Sequence, residues 1–137
     1  MALLTAIAGL NLGYYFVVYT PSRVYGNPTA EMTTVLARRL DALGGNHAVY
    51  LHGAPFVYWD FGTLRFMASD IAGTDVPPPG EGPQPGVDLA SGARFVFHPN
   101  RLNELETIRQ RYPGGVEDHV RSSTDGDLLY AMYEVGG

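Results

Sequence analysis

The sequence contains neither cysteine nor lysine among its 137 residues. Without cysteine the chain forms no disulfide, zinc–thiolate centre, iron–sulfur cluster or cysteine nucleophile. Without lysine it cannot complete a phosphate-binding P-loop. Charged residues make up 17% of the chain, below the average of about 25%, and the net charge is -5. Because phosphate binding draws on clustered cations, this composition excludes a basic nucleic-acid arm, and we expect no nucleic-acid partner.

The familiar catalytic and cofactor motifs are also missing. No G-x-G-x-x-G follows a predicted strand, and the Gly80-Glu81-Gly82 run lies in a proline-rich stretch. There is no G-x-S-x-G nucleophile elbow. The four histidines have neither H-E-x-x-H nor H-x-H spacing. We therefore predict no catalytic residue, no metal site and no cofactor in this chain.

The first charge in the chain is Arg23, and the preceding run from Ala2 to Tyr19 is apolar apart from Thr5, Asn11 and the tyrosine hydroxyls. Such a run is close to the roughly 20 residues that a membrane-spanning helix needs. A signal peptide fits poorly because no positive residue precedes the run. Two interpretations remain: the end of a transmembrane helix, or an apolar helix buried against its own sheet. The first predicts self-association through residues 1–20 in water, since an exposed apolar helix is unfavourable there.

The rest of the chain alternates between helix and strand patterns. Asn27-Pro28 predicts a helix start, and Gly44-Gly45 a helix end. We predict a second helix after Pro99, with Asn100 as its N-cap, and a helical turn over residues 56–60. Residues 70–92 are predicted to form a long proline-rich loop. Predicted strands cover residues 47–52, 64–68, 93–98, 116–121 and 128–135, the last two joined through Asp125-Gly126.

Strands separated by helices favour parallel pairing with right-handed crossovers, whereas the last two strands form an antiparallel hairpin. We therefore predict an α/β fold: a three-layer, Rossmann-like domain with a mixed, mainly parallel sheet and a C-terminal β-hairpin, preceded by an apolar N-terminal helix. Residues 1–20 are expected to be the end of a transmembrane or buried apolar helix, and residues 21–137 a single α/β domain.

Two histidines, His52 and His98, each end a predicted strand. Ligands of open α/β sheets bind beyond the carboxyl ends of strands, so these histidines and Gly53 are candidate ligand-binding residues. The alternative, which we favour, is that both imidazoles cap strand ends and bond to backbone. Trp59, beside Tyr58, is a further candidate as a stacking platform for a sugar, although the pair can equally seal the core.

Several segments carry a resemblance to a known family. They are LNLGYYFVVYTPSRVYGNPTAE at residues 10–31, VYLHGAP at 49–55, LRFMASD at 64–70, RFVFHPNRLNELETIRQRYPGG at 94–115 and LLYAMYEV at 128–135. In order and style they resemble the C-terminal extramembrane domain of bacterial membrane glycosyltransferases of family 39. These enzymes use polyprenyl-phosphate sugars and are akin to dolichyl-phosphate-mannose–protein mannosyltransferases and aminoarabinose transferases. The similarity spans nearly the whole chain.

The resemblance implies a non-catalytic accessory domain on the extracytoplasmic side of a membrane. The family's catalytic acidic residues lie in the first extracytoplasmic loop of its membrane part, and no position here matches that motif. The implied partners are the membrane portion of the same polypeptide and a glycan or polyprenyl-phosphate sugar. The implied role is structural or in acceptor interaction. The alternative is a free-standing small α/β ligand-binding protein or enzyme with a site at the carboxyl edge of the strands.

Overall fold

A computed structural model describes residues 2–19, 27–44 and 47–136. Four α-helices, one π-helical segment, one 3-10 helix and five strands occur within these ranges. In chain order they are α1 (Ala2–Gly13), the π-helical segment (Tyr14–Tyr19), α2 (Pro28–Leu43), β1 (Ala48–His52), α3 (Gly62–Met67), β2 (Gly73–Asp75), β3 (Ala93–Phe97), the 3-10 helix (Pro99–Glu104), α4 (Leu105–Arg111), β4 (Val116–Arg121) and β5 (Leu128–Val135).

The five strands form one mixed sheet in the order β2-β1-β3-β5-β4. The β1 strand pairs in parallel with β2 and β3, while β5 is antiparallel to both β3 and β4. Four strands therefore run in one direction and β5 alone runs in the other. The fold is α/β with the mixed sheet and C-terminal hairpin that the sequence predicts.

Two apolar clusters lie on opposite faces of the sheet. The first joins α2 and α3 to the strands and includes Leu36, Leu40, Leu51, Leu64 and Val96. The second lies beneath the 3-10 helix, α4 and the proline-rich loop and is centred on Tyr50, Phe95, Phe97, Leu105 and Tyr133. Because helices cover both faces, β1 and β3 are buried on both sides. This explains why they read as nearly continuous apolar runs.

The predicted first helix is confirmed as α2. The Asn27 side chain accepts a 2.9 Å hydrogen bond from the Thr29 N–H, and Pro28 occupies the first helical position. The helix ends at Gly44, whose φ of 56° suits a residue without Cβ. The buried stripe of Met32, Leu36 and Leu40 matches the expected periodicity.

Two local predictions around the β1–β2 crossover were wrong. Residues 64–68 do not form a strand, because Gly62–Met67 is helix α3, in which Leu64 is buried and Phe66 is exposed. In a helix as short as α3, burial of one face gives the same alternation of apolar and polar residues as a strand does. Instead, the three-residue strand β2 lies within the predicted loop and pairs with β1.

The second wrong prediction is the helical turn over residues 56–60. This segment contains two hydrogen-bonded turns, one closed by the Val57 N–H and one by the Phe61 N–H.

The predicted N-cap of the second helix was also wrong by two positions. The cap is His98, whose Nδ1 accepts a 3.2 Å hydrogen bond from the Asn100 N–H, with Pro99 in the first helical position. Proline fixes φ near the helical value and needs no hydrogen-bond acceptor, so the residue before it becomes the cap.

The N-terminal apolar helix does not pack into either cluster. Every residue from position 3 to position 19 is exposed, so the alternative of a helix buried against its own sheet does not hold here. The exposed side chains include Leu3 at 73%, Leu10 at 74% and Phe16 at 62%. No helix within the described ranges combines the length and apolar character needed to cross a bilayer.

Candidate functional site at the carboxyl edge of the sheet

The carboxyl ends of β1 and β3 meet at one edge of the sheet, because the two strands pair in parallel. His52 ends β1 opposite Phe97 of β3, and the His98 N–H donates a 3.0 Å hydrogen bond to the His52 carbonyl. With β2 on the other side of β1, the chain leaves these neighbouring strands in opposite directions. Such a switch point is where open α/β sheets bind ligands.

At this edge His52 belongs to a buried charged network with Glu104 and Arg101. His52 Nδ1 lies 2.9 Å from Glu104 Oε2. Since an ionised carboxylate can only accept, Nδ1 carries the proton that is donated. Arg101 donates from Nε to Glu104 Oε1 at 2.5 Å and from Nη2 to Oε2 at 2.7 Å, a bidentate pairing. The 3-10 helix brings Arg101 and Glu104 to the same side because they are three residues apart.

Burial sets the protonation of this network. Burial lowers the pKa of His52, and the hydrogen bond to Glu104 only partly opposes that shift. Burial would raise the pKa of Glu104, but hydrogen bonds from Arg101 and His52 outweigh it and hold that pKa below its ordinary value. At neutral pH the network therefore consists of a neutral imidazole, a carboxylate and a guanidinium.

Arg101 also closes the edge. Its guanidinium donates to the carbonyls of Val76 at 2.6 Å and Pro77 at 3.1 Å, which tie the start of the proline-rich loop to the 3-10 helix. The cavity lined by His52 and its surroundings measures only about 30 Å³, room for about one water molecule. The network thus occupies the position where a ligand of such a sheet would bind.

The second predicted histidine, His98, does not join this network. Its ring stacks on Phe56 with centroids 4.7 Å apart and an interplanar angle of 9°. The His52 ring instead lies 4.4 Å from the Phe97 ring. Burial lowers the pKa of His98. The structure therefore places the two histidines at one edge but in separate surroundings, and the backbone-capping alternative describes His98.

The other two candidates are held by packing. Gly53 is buried, and a Cβ on it would approach the backbone oxygen of Val57 to 2.5 Å, so the tight turn after β1 requires glycine. Trp59 packs against the first apolar cluster, and its indole covers Gly73 of β2. Its backbone N–H donates a 2.8 Å hydrogen bond to Asp75 Oδ1.

An open cleft of about 400 Å³ lies beside this edge. Its lining is mainly aromatic, with two carboxylates: Phe56, Val57, Tyr58, Asp60, Phe61 and Asp75. Burial raises the pKa of Asp75, although the bond from Trp59 opposes the shift. Of the predicted sugar-stacking pair, Tyr58 faces this cleft, whereas Trp59 lines a different surface depression with Asp60 and Arg65.

Sequence reasoning missed most of the residues that shape this edge. Arg101 and Glu104 carry a weak signal, since opposite charges three residues apart directly after a strand can fold back onto its end. Asp75 carries no such signal in the sequence, because it lies in a stretch that was predicted to be a loop. Among residues 2–19, 27–44 and 47–136, no cluster of three or more potential metal ligands occurs.

No protein-family model, no curated protein and no solved structure matches this chain. The resemblance to family 39 glycosyltransferases therefore stays a prediction from the sequence.

Proposed function

We propose that this chain is a non-catalytic, extramembrane α/β domain attached to a membrane through residues 2–19. In this proposal it is the accessory domain of a polyprenyl-phosphate-sugar-dependent glycosyltransferase, on the extracytoplasmic side. One observation carries the membrane attachment: a charge-free apolar helix whose residues 3–19 are all exposed.

The energetics of this helix favour a lipid environment. Its exposed side chains include Leu3, Leu4, Ile7, Leu10 and Leu12, and apolar surface in water costs about 25 cal/mol per Å². Soluble monomers rarely expose continuous apolar patches larger than a few hundred Å². The 12 residues of α1 extend about 18 Å, more than half of the roughly 30 Å hydrocarbon core of a bilayer. The proposal therefore treats this helix as the end of a membrane segment.

The fold supports a definite orientation for the domain. The start of α2 lies at the carboxyl edge of the sheet, where Ser122 Oγ donates a 2.9 Å hydrogen bond to Glu31 Oε1. The C-terminal end of α2 lies at the opposite edge of the sheet, where Arg94 Nη1 donates a 2.8 Å hydrogen bond to the Gly44 carbonyl. The chain therefore enters α2 at the carboxyl edge, and we propose that this edge faces the membrane.

The closed edge supports the non-catalytic role. His52, Glu104 and Arg101 satisfy one another, and so they serve packing at the place where an enzyme of this fold would bind substrate. The alternative, a free-standing ligand-binding protein or enzyme, draws its support from the open cleft beside that edge.

Flotation with phosphatidylcholine vesicles tests the attachment. We expect the full chain to float with the vesicles and to form oligomers by light scattering when no lipid is present. A variant with Leu4→Asp, Ile7→Asp and Leu10→Asp should stay in the aqueous phase as a folded monomer. The matched control replaces three exposed apolar residues of the domain, Leu43→Asp, Phe66→Asp and Val116→Asp, and should still float.

Two results would overturn the proposal. The first is a full chain that is monomeric in buffer and stays out of the vesicle fraction. The second is turnover of polyprenyl-phosphate mannose by the purified chain above the buffer rate, since that would assign catalysis to the domain itself.

A further inference from the structure

We infer that the open cleft beside the carboxyl edge binds a pyranose unit of a glycan, either uncharged or bearing an amino group. The inference deepens the proposed function. It rests on that proposal only for the orientation of the cleft relative to the membrane. Its basis is the combination of exposed aromatic rings and carboxylates around one concavity of about 400 Å³, within the roughly 300–1,000 Å³ range of small-molecule sites.

The aromatic rings supply the stacking surface. Phe56 and Tyr58 are each 48% exposed, and both line the cleft. The Phe56 ring stacks on the His98 ring, with centroids 4.7 Å apart and the two planes nearly parallel. A ring fixed in this way offers a preformed flat surface to the apolar face of a sugar, so that little conformational entropy is lost on binding.

The carboxylates supply acceptors for sugar hydroxyls. Asp75 uses Oδ1 for the Trp59 N–H, and within the described residues no hydrogen bond uses its Oδ2. Asp60 is exposed, and Arg65 Nη1 lies 3.9 Å from its Oδ1. Hydroxyl or ammonium donors of a ligand can therefore find two carboxylates in the lining that also contains the rings, and such polar groups fix orientation as stacking alone cannot.

Charge and shape decide against two other occupants. Two carboxylates with one exposed arginine repel phosphate and sugar acids, so a phosphorylated sugar fits poorly. Membrane-docking aromatic residues project into the interface, whereas Phe56 and Tyr58 line a concave surface. A membrane surface is therefore the less favoured occupant of this region.

Saturation-transfer NMR tests the inference on the full chain in phosphatidylcholine nanodiscs, which contain no glycosidic detergent. The probes are the methyl pyranosides of mannose, glucose, galactose and N-acetylglucosamine, together with glucosamine and mannose 6-phosphate. We expect millimolar binding of at least one uncharged or amino sugar, with the strongest transfer to protons on one ring face. Mannose 6-phosphate should show none. Phe56→Ser and Tyr58→Ser should each weaken transfer about fivefold or more, because each removes one of the aromatic rings that line the cleft.

Matched variants keep the outcome clear. Phe66→Ser removes a ring that is 86% exposed but lies outside the cleft lining, and it should bind as the unmodified chain does. Asp60→Asn changes an exposed carboxylate without disturbing the core and should weaken binding of glucosamine most. The emission of the single tryptophan, Trp59, reports whether each variant is folded.

The inference is overturned if no probe receives saturation, or if Phe66→Ser weakens transfer as much as Tyr58→Ser. It is also overturned if Phe56→Ser and Tyr58→Ser leave sugar binding unchanged but reduce vesicle flotation, which would assign these rings to the membrane surface. A chain that floats with vesicles yet binds no sugar contradicts this inference alone. A chain that binds sugar but does not float contradicts only the proposed attachment.

Discussion

His52 Nδ1 lies 2.9 Å from Glu104 Oε2, and this contact joins the end of β1 to the 3-10 helix that follows β3. Both groups are largely buried, with 4% and 14% of their side chains exposed. Glu104 also holds Arg101, whose side chain is 5% exposed. A buried guanidinium and imidazole thus depend on one carboxylate, and the stability of the carboxyl edge should depend on it as well.

Glu104→Ala should lower the free energy of unfolding by about 3–5 kcal/mol, because it leaves the buried charge of Arg101 without its carboxylate. Urea denaturation at neutral pH measures the effect. The control is Glu106→Ala, since the Glu106–Arg109 pair is exposed, with N and O 3.5 Å apart. That change should cost less than about 1 kcal/mol. Equal losses in the two variants would contradict the role given to the buried network.

Acid should destabilise the domain from pH 6.5 downward. The pKa values of both His52 and His98 are lowered from 6.5 in the folded chain. Below 6.5 the unfolded chain therefore takes up protons before the folded chain does, and stability falls until the lowered pKa values are reached. The raised pKa of Asp75 acts in the opposite direction and at lower pH. Urea midpoints measured from neutral pH downward show the slope.

His98→Asn keeps a cap acceptor but removes one titrating group, so the loss of stability below pH 6.5 should become shallower. Stability that rises as pH falls through 6.5 would refute this assignment.

Gly73→Ala should disturb the β1–β2 edge, because a Cβ at this position would overlap the indole ring of Trp59. We expect a loss of about 1–3 kcal/mol and a red-shifted Trp59 emission. Gly62→Ala is the matched control. A Cβ on Gly62 would meet no atom within 4 Å, and alanine favours helix at the start of α3, so stability should stay within about 1 kcal/mol. If Gly73→Ala leaves Trp59 emission unchanged, the packing of this edge is different from that described.

Where local chemistry decides the structure, the sequence predicted it well. The hairpin strands over 116–121 and 128–135 have the predicted bounds, because Asp125-Gly126 fixes the turn. The α2 start at Asn27-Pro28 follows from capping chemistry alone. The three-residue strand β2 was missed because Gly73-Thr74-Asp75 has no β-rich signature. Its conformation comes from pairing with β1 rather than from its own residues.

The sequence placed His52 and His98 at the ends of two strands, but it did not identify the side chains that surround them. Alternation of helices and strands favoured parallel pairing, and the observed pairing of β1 with β3 brings His52 and His98 to one edge. Which side chains reach that edge depends on contacts across long sequence separations, such as Arg101 with the Val76 carbonyl. Those contacts arise from the path of the proline-rich loop, which no periodicity in the sequence specifies.

Depth-dependent fluorescence quenching tests the central claim, membrane attachment through the apolar helix, most directly. The chain has no cysteine, so Leu10→Cys, Ser123→Cys and Ser91→Cys each accept one environment-sensitive label. Ser123 follows β4 at the carboxyl edge, and Ser91 precedes β3 at the opposite edge. In vesicles containing brominated phosphatidylcholine we expect strong quenching at position 10, weak quenching at 123 and none at 91. Equal quenching at positions 10 and 91, or none at position 10, would contradict the account.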